Sequence, residues 1–115
     1  MQTSVQDVES FLKEFKAKMA TEGIVIIDRD KNLQGMFALE INPGMRNEIL
    51  KSLKAEDYFR GPSMQSGWIG EAWEFGKKVN NKEAYIKVSM GGENKSVICI
   101  SFHLAEKAIT YPFKK

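Results

Sequence analysis

The chain has 115 residues, 43% hydrophobic and 28% charged, which suits a single domain over 1–115 with its own core and excludes a disordered or low-complexity chain. A lone cysteine, Cys99, excludes an internal disulfide, and the absence of a leader-like apolar run or of any stretch near the roughly 18 residues of a membrane span points to a cytoplasmic protein with no membrane partner. The net charge of +2 does not by itself mark a nucleic-acid binder, but it is uneven: residues 1–53 carry seven Lys/Arg and eight Asp/Glu, and residues 54–115 carry ten and seven, so a polyanion would meet the second half.

In chain order, Val5, Val8, Leu12, Phe15 and Met19 recur at three- and four-residue spacing and predict an amphipathic first helix. Thr3 and Gln6 have the spacing of a capping box, and Glu22-Gly23 suits a stop. Ile24–Ile27 reads as a short buried strand. Asp30 is placed to cap a helix over 31–39 that turns Leu33, Met36 and Phe37 inward. Asn42-Pro43 predicts a further helix over 43–53, with Met45, Ile49, Leu50 and Leu53 buried.

From Tyr58 the period changes. Gly61-Pro62 opens an expected loop that runs through Gly67 and Gly70. Three strands follow, at about 71–76, 83–90 and 96–103, joined by residues 76–82 and by the turn Gly91-Gly92-Glu93-Asn94. The expected fold class is therefore α+β: a helical or mixed half over 1–56 packed on an antiparallel β-meander over 57–115.

Side chains alternate across a strand. Trp73, Phe75, Ala84, Ile86, Val88, Met90, Ile98, Ile100 and Phe102 define a core face. The opposite face carries Glu74, Tyr85, Lys87, Cys99, Ser101 and His103. If both turns close without bulges, Glu74 lies opposite Tyr85, and Tyr85 opposite Ser101. A wet antiparallel face is ordinarily polar, but one built only for solubility has no need of His, Tyr and Cys together.

That mixture suits cleavage of RNA by its own 2′-hydroxyl. Glu74 is a candidate base and His103 a candidate acid, since imidazole as a class works near neutral pH. Lys87 with Arg60 or Arg46 can hold the phosphate, and Tyr85 can bond the phosphate or stack on a base. One His and one Cys four residues apart on a strand make no zinc constellation, there is no phosphate-binding glycine loop, and Cys99 reads as structural. No metal or cofactor is expected.

The segments Asp57-Tyr58-Phe59-Arg60-Gly61-Pro62, Glu71-Ala72-Trp73-Glu74-Phe75-Gly76-Lys77, Glu83-Ala84-Tyr85-Ile86-Lys87-Val88 and Ile98-Cys99-Ile100-Ser101-Phe102-His103 together resemble the MqsR family of toxins, in the RelE-like fold group. The resemblance spans about residues 54–106. It implies a RelE-like fold and a metal-independent endoribonuclease toxin that cleaves messenger RNA and is neutralised by a cognate antitoxin protein. It maps functional positions onto Arg60, Glu74, Tyr85, Lys87 and His103. The best-known pattern of the family has Lys, Gln and Lys where Arg60, Glu74 and His103 stand. Two other readings of the same face are a non-catalytic protein- or RNA-binding module and an enzyme for a small substrate held in a deep apolar pocket.

Overall fold

The computed structural model describes residues 2–65, 67 and 69–114. Helix α1 (Val5–Glu22) is followed by strand β1 (Ile24–Ile26), helices α2 (Asp30–Leu39) and α3 (Pro43–Lys51), and strands β2 (Tyr58–Gln65), β3 (Gly70–Val79), β4 (Lys82–Ser89) and β5 (Val97–Leu104). The fold class is α+β, with one five-stranded sheet in the order β1-β5-β4-β3-β2. No helix among the described residues is long and apolar enough to cross a membrane.

The meander β3-β4-β5 is antiparallel, but the sheet as a whole is mixed. β1 lies parallel to β5, pairing Ile24 with Val97 and Ile26 with Cys99, so the sheet draws its edge strand from the first half of the chain. The expected loop after Gly61 is instead the strand β2, paired with β3 through Ser63–Ala72 and Gln65–Gly70. Ser66 and Trp68, also in that expected loop, lie outside the described residues. The seven-residue link between the next two strands shrinks to a turn at Asn80 and Asn81, both at positive φ (50° and 67°). Asparagine tolerates that left-handed region, so β3 continues to Val79.

Helix α1 buries Val8, Phe11, Leu12, Phe15 and Met19 against Phe75, Ile86, Val88, Val97, Cys99 and Phe102. Phe11 replaces Val5 on the buried stripe. The α1 capping box sits one residue later than expected: Ser4 Oγ accepts from the Asp7 amide at 3.1 Å, and the Asp7 carboxylate accepts from the Ser4 amide at 2.9 Å. Thr3 instead donates its hydroxyl to the Gly61 carbonyl at 2.8 Å, which ties the start of α1 to β2. Asn42 caps α3 as expected, accepting from Met45 N, although Met45 itself is exposed.

Helix α2 differs most from its expected packing. Its cap position is Arg29 rather than Asp30, and Leu33 and Phe37 are exposed while Asn32, Gly35 and Leu39 are buried. The cause is β5. β1 covers the edge of β5 only as far as Cys99, and α2 covers the rest. The Asn32 amide donates to the Ile100 carbonyl and its oxygen accepts from the Phe102 amide, both at 3.0 Å. It thereby satisfies backbone groups that a neighbouring strand would otherwise pair. Gly35 allows the helix to come this close: a Cβ there would stand 2.6 Å from His103 Cα and 2.8 Å from the Phe102 carbonyl oxygen.

Candidate functional site

Two of the three register shifts in the ladder decide which side chains share the polar face. On β2, Tyr58 pairs with Phe75 and Arg60 pairs with Glu74, with a register shift between them. Phe75 and Glu74 point to opposite faces, so the extra residue keeps Tyr58 in the core and turns Arg60 to the polar side. On β5, Val88 pairs with Cys99 and Lys87 with Ser101, again across a shift. Cys99 therefore joins the core rather than the polar face, and burial pushes its thiol up to about 12. Ile98 and Ile100 move the other way: they pack with Ala72, Ile27 and Ile69 in a second apolar cluster. The bulge-free register is corrected as well. Glu74 lies opposite Lys87, and Tyr85 opposite His103.

Glu74 is the anchor of the face. It is 5% exposed, and both its oxygens accept from Arg60 Nε, at 3.1 and 3.0 Å. Oε1 also accepts from the Tyr85 hydroxyl at 2.5 Å. A buried carboxylate is tolerated because it is paired and hydrogen-bonded. Arg60 reaches it from solvent, its guanidinium 4.7 Å over the Phe59 ring. Burial first, and then the bond to Glu74, raise the Tyr85 phenol well above its ordinary pKa, so Tyr85 stays a proton donor to Glu74 across the neutral range.

Above this anchor is a cleft of about 480 Å³. Arg29, Phe59, Arg60, Tyr85, Lys87 and His103 line it, and residues 105–109 form one wall. His103 is half-buried and its ring lies 5.3 Å from that of Tyr85, tilted by 36°. Its Nδ1 is 2.8 Å from the Leu104 carbonyl oxygen. A carbonyl only accepts, so Nδ1 carries the hydrogen and Nε2 is left for a ligand. Arg29 donates to Ser101 Oγ at 3.3 Å. Lys87 makes no ion pair among the described residues.

Four of the six sequence-predicted residues, Arg60, Tyr85, Lys87 and His103, line this one cleft, and Glu74 supports two of them from beneath. Arg46 does not belong to it: it approaches Met36 Sδ and lines a separate groove with Ile26 and Phe102. Sequence reasoning missed Arg29, which reaches the cleft because β1 runs parallel beside β5. It also missed Phe59 and the wall at 105–109. Phe59-Arg60 is an adjacent aromatic and basic pair on a residue run already of interest, and that was the one available signal. Compared with known proteins, the chain matches no protein-family model, no curated protein and no solved structure.

Proposed function

We propose that this protein is a metal-independent endoribonuclease toxin of the RelE-like fold group, as its resemblance to MqsR toxins implies. On this reading it cleaves messenger RNA in the cytoplasm by 2′-hydroxyl attack and is neutralised by a cognate antitoxin. The observation that carries the reading is the cleft itself: cations from β1's end, β2 and β4 converge with an imidazole and a phenol–carboxylate pair.

The roles follow from the contacts. Glu74 is too enclosed to meet the 2′-hydroxyl directly, so it acts as base through Tyr85. The phenol oxygen takes the 2′-proton while the phenol hydrogen passes to Glu74 Oε1. The 2′-oxygen then bonds to phosphorus, and the bond from phosphorus to the 5′-oxygen breaks. His103 enters the step with both ring nitrogens protonated and Nδ1–H held by the Leu104 carbonyl; it gives its Nε2 proton to the leaving oxygen and ends as the neutral imidazole. Arg60 and Lys87 hold the phosphoryl oxygens as charge builds. The wild-type protein, incubated with single-stranded RNA in the presence of EDTA, is expected to yield 2′,3′-cyclic phosphate and 5′-hydroxyl ends. Intact RNA from a well-folded sample overturns the proposal.

Glu74→Gln separates relay from support. The amide oxygen still accepts from Tyr85 but cannot take its proton. Cleavage is expected to fall by roughly 100-fold, with oligonucleotide affinity nearly unchanged. Full activity would leave Glu74 as a support for Arg60 and Tyr85 only.

The alternative is a non-catalytic RNA- or protein-binding module on the same scaffold. It is favoured by one feature, the full engagement of both Glu74 oxygens in the resting structure. Binding of RNA without turnover, insensitive to substitution of Glu74 or His103, is its signature.

A further inference from the structure

The cleft already contains an anion. Glu106 lies in it among Arg29, Lys31, Arg60, Lys87, His103 and Lys107. Both its carboxylate oxygens accept from Lys31 Nζ, at 3.0 and 3.1 Å.

The chain after β5 is built to hold it there. The Ala105 amide donates to the Glu83 carbonyl at 2.9 Å. The Tyr111 hydroxyl donates to Glu83 Oε2 at 2.7 Å. Phe113 stacks on the core residue Tyr58 with ring centres 5.2 Å apart. Between these anchors residues 105–113 form a strap that crosses β3 at Gly76, the register partner of Tyr85. A Cβ on Gly76 would stand 2.5 Å from the Tyr111 hydroxyl oxygen and 2.8 Å from Ile109 Cδ1, so the bare backbone at this position gives the strap its seat beside the site. The strap is thus rooted by packing, whereas its charged end rests on a single ion pair whose side chains are 57% and 62% exposed.

We propose that Lys31 is a further phosphate-binding residue of this cleft, and that Glu106 is a built-in competitor which a phosphate of the RNA strand displaces. The proposal rests on the RNA reading of the same cleft. An exposed ion pair contributes little to stability, so its exchange is easy. A phosphodiester taking the place of Glu106 leaves Lys31 neutralised as before, and sends Glu106 to water. While Glu106 remains on Lys31, it repels a phosphate approaching the same ammonium, because the two anions would compete at contact distance for one cation.

The test is binding of a short, fluorescently labelled, single-stranded 2′-O-methyl oligonucleotide, which cannot be cleaved by its own 2′-oxygen, followed by anisotropy over a salt series. Glu106→Gln is expected to tighten binding roughly fivefold at low salt, equivalent to about 1 kcal/mol. It is also expected to steepen the salt dependence, because the cleft of the variant carries one more net positive charge and attracts the strand through a field that salt screens. Lys31→Gln in the Glu106→Gln background is expected to abolish both gains. Both side chains are exposed, and circular dichroism verifies that each variant is folded. Unchanged binding in Glu106→Gln, or a gain that survives loss of Lys31, overturns this proposal and leaves the RNA reading intact. Failure of the wild type and of every variant to bind the oligonucleotide removes both.

Discussion

Replacing Gly35 with alanine is expected to destabilise the protein by roughly 1–3 kcal/mol, although alanine is the better helix former by about 1 kcal/mol. Gly35 lies inside α2, where propensity alone predicts a gain. The opposing term is steric. The added Cβ would stand 2.6 Å from both Cα and Cβ of His103 and 2.8 Å from the Phe102 carbonyl oxygen. These are mostly backbone atoms of a strand paired to β4, which cannot swing aside as a long side chain can. Relief requires α2 to withdraw, and withdrawal stretches the two Asn32 bonds to the edge of β5. A backbone pair left unsatisfied adds its own cost. Urea unfolding of Gly35→Ala against Gly44→Ala measures this directly. Gly44 is also helical, and its nearest neighbour to an added Cβ is the Asn42 Oδ1 atom at 3.4 Å, so Gly44→Ala is expected to be neutral or stabilising. A stabilised Gly35→Ala would mean that α2 does not hold the second half of β5 as closely as described. Because His103 is on the strand that the helix presses, the same variant is expected, on the proposed reading, to lose RNA cleavage beyond its loss of stability.

On the proposed ribonuclease reading, His103→Ala is expected to lower RNA cleavage by roughly 10²–10⁴-fold, the usual contribution of a positioned general acid, with the fold retained. The side chain is half-buried against Tyr85 and is not part of the packed core, so its loss removes a proton donor and little packing. The bond from Nδ1 to Leu104 fixes which ring nitrogen is presented, and this is the basis for assigning the chemistry to Nε2. Single-turnover cleavage gives the rate, and binding of the uncleavable oligonucleotide gives the affinity. The expected pattern is a large loss in the first and a small one in the second. His103→Lys, which places at this position the residue of the MqsR pattern that the sequence resembles, presents an N–H proton donor and is expected to retain more activity than His103→Ala. Equal cleavage by wild type and His103→Ala would remove His103 from the mechanism and shift the balance to the binding-module reading.

The scaffold's local features were legible because they depend on neighbours in sequence. The apolar stripe Val8, Leu12, Phe15 and Met19 needs only the helical period, and it is buried as expected. Asn42-Pro43 needs only cap chemistry, and α3 starts there. The β3-β4-β5 meander follows from period-two alternation between turn residues, and its end at Val79 was missed only because two consecutive left-handed asparagines were not read as a tight turn. The types of residue on the polar face were legible too, since alternation on β3 and β4 is unbroken across Glu74, Tyr85 and Lys87.

What only the tertiary structure decided is how those residues meet. A bulge is one extra residue in a ladder, and no local pattern marks it when both neighbours suit a strand. The bulge between Tyr58 and Arg60 on β2 turns Arg60 toward Glu74, and the one on β5 sends Cys99 into the core while keeping Ser101 and His103 on the polar face. The exposure of Leu33 and Phe37 has the same kind of cause. The face of α2 was set by the open edge of β5, which needed the amide of Asn32 and the bare backbone of Gly35, and not by the apolar residues of the helix. Arg29 entered the cleft through a parallel pairing across about seventy residues, and Glu106 through a strap seated on Gly76. Local propensity and periodicity therefore determined the elements and the chemistry available, because each depends on contacts within a turn or a strand. Register, bulges and edge coverage determined the site, because each satisfies backbone and side-chain groups that lie far apart in the chain.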